Sequence, residues 1–448
     1  MTGVPMLFFS RLDKKICGLF VILLMSACSS EKYLMPTPSL YIGNNSANFE
    51  KIPSELQNNT FDLLYVTDRK PDYDESNNFK YGYQRSLSSA FGSVIIKLNP
   101  AMSWQELVAE SQKKTRTQKI KLNIASVLEQ GRYPETPYSL IKDSQGDVID
   151  DPALFMAASQ INSHFQAELT KRLAIAAKKE VFIYIHGVSN TFADAAYTLA
   201  ELWHFSGRET VPIVYTWPAG HGGASGYAYD RESGEFTIFH LKQFLRSLAS
   251  NTDIEKIHIL AHSRGTDVIS TALRELFIEA TASGKDPLSM YRIANLILAA
   301  PDIDVAVLSQ RMIAERVGFN VRAVTIYTSS EDKAIKLSKV LFSSVVRLGN
   351  LVTTDNPDDH HADNSAMMMQ QLLMANNLSM VEMQGKSDRI GHSYFQDNPA
   401  VSSDLIMTLR YEARPGKENG RPLKPAGANM WIISDDAYTH SEYNAQKH

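Results

Sequence analysis

Between Ile257 and Thr266 the chain runs Ile-His-Ile-Leu-Ala-His-Ser-Arg-Gly-Thr, and the helical pattern of Asp267 to Glu279 follows without a break. An apolar β-type run that ends in small-x-Ser-x-Gly and enters a helix directly can fold in few ways. It predicts a strand, a sharp turn and a helix, the layout of a nucleophile elbow. Such a turn holds the serine at positive φ with its hydroxyl projecting, and strand and helix pass so closely that the residues two before and two after must be small. Ala261 and Gly265 meet that demand, although Ala261 stands where glycine is commoner. An ordinary strand-to-helix turn of an α/β protein can carry the same five residues, so the flanking periodicities decide for the elbow.

The surroundings extend the pattern. Apolar runs near 61–67, 91–98, 180–186, 211–217, 254–260, 293–299, 323–328 and 378–383 read as strands. Helical patterns near 151–178, 192–205, 236–249, 273–282, 305–317 and 333–346 lie between them. Strands alternating with helices imply a mostly parallel sheet with helices on both faces. Residues 105–180 read as charged helical patterns broken by the turn-rich stretch 131–137, and neither a repeat nor a low-complexity tract appears.

At 448 residues and 44% apolar composition the chain can bury a large core, and a net charge of −4 gives no basic signal for nucleic acid. Residues 1–27 resemble a bacterial lipoprotein signal peptide. Arg11, Lys14 and Lys15 precede an apolar run, Ile16 to Met25, too short to span a bilayer, and Ser26-Ala27-Cys28 follows. That resemblance implies cleavage before Cys28 and a lipid on its thiol, with membrane contact through the anchor. Ser29 in place of aspartate implies the outer membrane of a bacterial cell envelope, facing the periplasm. Cys17 and Cys28 are the only cysteines, so with Cys17 gone the mature chain has no disulfide, no cysteine-rich zinc site and no cysteine nucleophile. The Pro-, Asn- and Ser-rich stretch 28–56 reads as a tether, residues 57–412 as the folded domain, and 413–448 as a tail.

An elbow serine needs a base, a group that orients the base, and donors for an oxyanion. In α/β-hydrolases these follow in the order Ser, acid, His. Two strands after Ser263 end in acids: one leads to Asp302 and Asp304, the next to Glu331 and Asp332. Asp332 is preferred because it follows the second strand after the elbow. Asp302 is the alternative, with a helix-cap role as its plainer reading. His392, in a turn after the last expected strand, is the expected base. His360 and His361 fit a polar solvated insertion better than a metal site, and no metal or other cofactor is expected. Backbone N–H groups of Arg264 and Val188 are the expected oxyanion donors, with Gly187 allowing the loop to turn and His186 bracing it. His262 is expected to pack or to point to a neighbouring loop.

With these segments in place the chain resembles a bacterial α/β-hydrolase family of unknown function. The matching pieces are Tyr65 to Arg69, Ile185-His186-Gly187, Tyr215 to Pro218, Ala261 to Gly265, Ala299 to Asp302, Tyr327 to Ser330 with Asp332, and Gly391 to Tyr394, in order over about 62–412. The resemblance implies an α/β-hydrolase fold and a triad of Ser263, Asp332 and His392, but brings no substrate. Its one departure is a longer connection at 353–377, with Met367, Met368 and Met369 as a pliable lid or simply core-filling residues. Function then reads as a serine hydrolase acting on a small-molecule or lipid acyl ester. The alternative is a non-catalytic envelope lipoprotein that binds a partner or lipid with the same fold.

Overall fold

A computed structural model of the chain describes residues 31–42, 49, 51–76, 78–222, 225–329, 332, 374–385 and 391–439. The first half supplies β1 (Thr60–Tyr73), β2 (Phe79–Asn99), α1 (Trp104–Glu110), β3 (Lys121–Arg132), the small hairpin β4 (Leu140–Lys142) and β5 (Val148–Asp150), and α2 (Pro152–Ile175). Next come β6 (Glu180–Ile185), α3 (Phe192–Phe205), β7 (Val211–Thr216), α4 (Gly226–Ser250), β8 (Lys256–His262), α5 (Gly265–Ala282), α6 (Pro287–Tyr291) and β9 (Ile293–Ala299). The remainder is α7 (Val305–Ser309), β10 (Ala323–Ser329), β11 (Leu378–Gln384), α8 (Tyr394–Asp397), α9 (Pro399–Tyr411), β12 (Lys424–Gly427) and β13 (Met430–Ser434).

One sheet of eleven strands has the order β12-β13-β11-β10-β9-β8-β6-β7-β1-β2-β3. From β13 to β1 every neighbouring pair is parallel, and β2, β3 and β12 are antiparallel additions at the two edges. Every residue of β6, β7 and β9 is buried, which is why these strands are nearly continuous apolar runs rather than alternating ones. Three of the helices on the faces of this sheet, α2, α3 and α9, start where their sequence supplies a cap. Asp151 accepts the Ala153 N–H with Pro152 at the first position, Thr191 and Asp194 form a reciprocal capping box, and Asn398 accepts two N–H groups ahead of α9. Each cap contributes about 1 kcal/mol. On one face Phe165 of α2, Leu241 and Phe244 of α4, and Leu273 and Phe277 of α5 cover the sheet. On the other, Leu199 and Trp203 of α3 and Leu405 of α9 do so.

Several expectations are corrected. The stretch taken as a tether belongs to the fold from Lys32 onward: the Leu34 N–H donates to the Ile120 carbonyl at 2.7 Å, the Met35 N–H to Glu201 at 2.6 Å, and Leu34, Leu40 and Tyr41 are buried beside α3 and α9. The expected tail contains β12 and β13, which extend the sheet, while Arg421 is buried and paired to Asp404 of α9. Residues 121–132 form β3, not a helix, and α4 starts ten residues earlier than its apolar periodicity suggests. The helix expected at 305–317 is α7 followed by one wide turn at Gln310–Ala314. Cys28, the helix at 333–346, His360, His361 and Met367 to Met369 lie outside the described residues, as does nearly all of 353–377.

Candidate active site

Ser263 sits one residue past β8 with φ +52°, and α5 begins two residues later. Its own N–H donates to the Ala299 carbonyl at 2.9 Å, which pins the turn to β9. A Cβ on Gly265 would lie 2.5 Å from the His186 carbonyl oxygen and 2.7 Å from that of Ile185, so only glycine fits where α5 crosses the end of β6. Ala300 and Ser189, at the same edge of the sheet after β9 and β6, also hold positive φ, at 46° and 60°. Left-handed backbone of this kind costs on the order of 1 kcal/mol or more per residue.

The loop after β6 lies directly against the serine. A Cβ on Gly187 would come within 2.5 Å of the Ser263 Cβ and 3.1 Å of its Oγ, so the absent side chain is what brings this backbone to the hydroxyl. His186 braces the loop: Nδ1 donates to the Gly187 carbonyl at 2.8 Å and Nε2 accepts the Trp217 N–H at 3.1 Å, while the ring stacks on Trp217. Burial, with the nearby Arg69 charge, drives the His186 pKa well below its usual value, so the ring is neutral and keeps that tautomer. Val188 lies in this loop, and Arg264 opens the turn into α5. The Arg264 guanidinium is turned into an ion pair with Asp267 at 2.7 Å, leaving its role at the serine to the main chain.

Two residues given no role from sequence hold the loop. Arg69 is 1% exposed, and burial pulls its pKa down to about 10, still cationic at neutral pH. It donates to the carbonyls of Asn190, Ala219 and Gly82 at 2.7–2.9 Å and to Thr216 Oγ1 at 2.9 Å. Asp230 of α4 is fully buried and accepts the Ser189 N–H at 2.7 Å and the Gly220 N–H at 3.0 Å. Together they tie the loops after β6 and β7 to β1 and α4. Arg69 stood in a motif, Tyr65 to Arg69, that could have been followed further. Asp230 gave no signal, because its partners are main-chain groups distant in sequence.

The expected acid and the expected base are brought together. Asp332, fully buried beyond β10, accepts a hydrogen bond from His392 Nδ1 at 2.7 Å across sixty residues of sequence. His392 is brought next to the elbow by His262, whose Nε2 donates to the His392 carbonyl at 3.2 Å and whose ring lies 4.8 Å from the His392 ring. His262 is therefore packed against a neighbouring loop, with Phe395 on its other side. Asp302 lies close by: its N–H reaches the Ser263 carbonyl at 3.3 Å and its carboxylate accepts from Tyr227 at 2.8 Å. Its expected cap role falls instead to Asp304, which accepts the Val307 N–H. Among the described residues no group of three His, Cys, Asp or Glu side chains is placed to hold a metal ion, and no helix is long and apolar enough to cross a membrane.

Among solved structures, the chain is similar to a Pyrobaculum calidifontis esterase at 10% identity and a TM-score of 0.29, over 57% of this chain and 93% of that one. No curated protein matches it in sequence. Residues 161–410, more than half of the chain, match the model of a family described as alpha/beta hydrolase of unknown function (DUF900). That span runs from α2 through β6, the elbow and both later acids to the end of α9, and the chain belongs to this α/β-hydrolase family.

Proposed function

We propose that the protein is a lipid-anchored serine hydrolase that cleaves carboxylic esters through an acyl-enzyme, with Ser263, His392 and Asp332 as its triad. The observation that carries the reading is the 2.7 Å bond between His392 Nδ1 and Asp332, with the His392 ring packed against His262, the residue before a strained serine at the end of β8. With the Nδ1 proton committed to the carboxylate, the basic nitrogen of His392 is Nε2. Ser263 Oγ attacks the ester carbonyl carbon as its proton passes to Nε2. The oxyanion that forms is met by the N–H groups of Arg264 and Val188. As the C–O bond breaks, Nε2 returns the proton to the departing alcohol. Water then attacks the acyl-serine by the same proton path, releasing the acid and regenerating Ser263.

A preformed oxyanion loop supports this reading. Gly187 is pressed against Ser263, and Arg69 and Asp230 hold the loop from two directions. Such preorganisation is the largest single contribution to acyl-transfer catalysis in comparable sites. The anchor at Cys28 is part of the proposal, as is a place at the bacterial envelope, on the outer membrane facing the periplasm. Since packing begins at Lys32, only a few residues separate Cys28 from the body, a reach of about 14 Å at ~3.5 Å per residue. A fluorophosphonate probe is expected to label the wild type and not Ser263→Ala, and short p-nitrophenyl esters should be turned over by the wild type alone. A folded protein that neither labels nor hydrolyses any such ester sinks the reading. Loss of lipid incorporation in Cys28→Ser tests the anchor separately.

A further inference from the structure

Away from the elbow, α2 and α4 do not close completely over β1 and β2. Between them lies a cavity of about 370 Å³, within the range of small-molecule sites. β1 is three strands from β8 in the sheet, a lateral separation of about 14 Å at ~4.8 Å per strand, and none of Ser263, His392 and Asp332 is among the lining residues.

Its floor is a run of three buried rings, with Phe91 and Phe165 5.2 Å apart and Phe165 and Phe244 6.0 Å apart. Two further lining rings, Phe155 and Phe239, are 64% and 42% exposed, an unusual amount of bare aromatic surface unless something apolar passes between them. The polar side of the cavity has its own character. His240 and Arg246 line it and no carboxylate does, although the Arg246 guanidinium is also ion-paired to Glu279 outside the lining and donates to Gln243 at 3.0 Å. His240 is 4% exposed and held through Nδ1 by Asp68 at 3.0 Å, and its Nε2 has only long contacts of 3.3 Å, to the Leu87 carbonyl and to Thr136 Oγ1. With the Nδ1 proton committed to Asp68, Nε2 is an acceptor with no short partner, a place where a ligand hydroxyl gains a good hydrogen bond.

We infer that this cavity is a second binding site, separate from the elbow, for a small single-chain amphiphile whose apolar body lies on Phe91, Phe165 and Phe244 and whose oxygen head group meets the polar side, either a hydroxyl donating to His240 Nε2 or a carboxylate accepting from the Arg246 guanidinium. An aromatic floor takes an aliphatic chain without demanding a shape, and lining that lacks acids accepts a free acid or an alcohol alike. The volume excludes a protein helix, so the occupant is a small molecule rather than a docked chain.

Decanoate and decanol are the probes, titrated calorimetrically into the full-length protein, with Ala158→Trp to fill the cavity from α2. Saturable binding to the wild type, weakened tenfold or more in Ala158→Trp while the melting temperature stays within a few degrees, is the expected result. Comparing the two probes tells whether the head group is an acid or an alcohol. If Ala158→Trp does not fold, Ser159→Trp, from an exposed position lining the same cavity, carries the identical expectation. Failure of both probes to bind the wild type, or binding unchanged in a folded tryptophan variant, overturns the inference. None of these readouts uses hydrolysis, so they stand apart from the fate of the triad.

Discussion

Two histidine–aspartate pairs sit in this fold in different settings. His392 donates through Nδ1 to Asp332 at 2.7 Å, and His240 donates through Nδ1 to Asp68 at 3.0 Å. The surroundings separate them. His392 packs against His262, the residue before a serine held at positive φ, and Gly187 lies against that serine's hydroxyl. His240 faces Thr136 through its other nitrogen, but that hydroxyl already donates to the Leu87 carbonyl at 3.0 Å, and the same carbonyl lies 3.3 Å from Nε2. No proton is available there for His240 to take. An Asp–His pair is therefore not a catalytic signature by itself; a strained, unspent hydroxyl and preorganised donors have to accompany it.

The largest expected contrast lies in the nucleophile and base. Ser263→Ala and His392→Ala should each lower kcat by about 10⁴- to 10⁶-fold, whereas His240→Ala should leave kcat within a few-fold and lower the melting temperature instead. Steady-state turnover of p-nitrophenyl butyrate, with melting curves alongside, checks this. A His240 variant as inactive as His392→Ala, yet stably folded, would reverse the assignment of the two pairs.

The acids sharpen it next. Asp332→Asn should cost about 10⁴-fold in kcat, because the amide no longer holds the imidazole in the needed tautomer. Asp68→Asn should cost little activity but about 1–3 kcal/mol of stability, since it weakens a buried partner of His240. Asp302→Asn is expected to fall less than tenfold. If instead Asp302→Asn loses as much as Asp332→Asn, the alternative acid is the working one.

A smaller loss is expected from the loop that only the elbow pair possesses. With a Cβ at position 187 forced to 2.5 Å from that of Ser263, Gly187→Ala must shift the loop or the serine, and a displaced oxyanion donor costs about 10²–10³ in kcat. KM should move much less than kcat. A variant with full kcat would mean that the oxyanion is held elsewhere.

How much of this could be read from sequence follows from how local each feature is. The elbow is local: a strand, a positive-φ serine and a tight glycine all lie within ten residues, so Ser263 and Gly265 were legible. Asp332 and His392 were legible through their order at strand ends, because a parallel sheet brings all strand ends to one edge. What escaped depends on contacts that leave no local pattern. Asp230 binds main-chain N–H groups 41 residues earlier and ten residues earlier, and Arg69 reaches carbonyls of β2 and of the loops after β6 and β7. β3 was missed because an edge strand with one wetted face alternates irregularly here, and its Lys, Asn, Glu and Gln residues resemble an exposed helix. The N-terminal segment looked like a linker by its prolines, yet Leu34, Leu40 and Tyr41 bury their side chains, and the prolines merely stiffen its path.

The histidines without a carboxylate complete the contrast, and they set the smallest effect. His186, His204 and His262 are buried, and burial first, then nearby positive charge, drives each pKa well below its usual 6.5. In the unfolded chain each titrates near 6.5. Below that pH the unfolded state therefore binds protons that the folded state refuses, and stability present above pH 6.5 is lost as the pH falls toward the folded values. Each such group contributes a slope of about 1.4 kcal/mol per pH unit. Glu201 works the other way: burial pushes its pKa from 4.5 up to about 7, so between pH 7 and 4.5 the folded state holds a proton that the unfolded chain has released. It offsets one histidine of the three. Urea unfolding of the wild type should thus show stability falling from pH 6.5 toward 5, and His204→Gln should flatten that slope by about one proton. His204 is the choice because it lies among Ser111, Arg208 and aromatic rings, apart from the loop at Ser263. An unchanged slope in that variant would mean that His204 is charged in the fold, which its contact with the Arg208 guanidinium opposes.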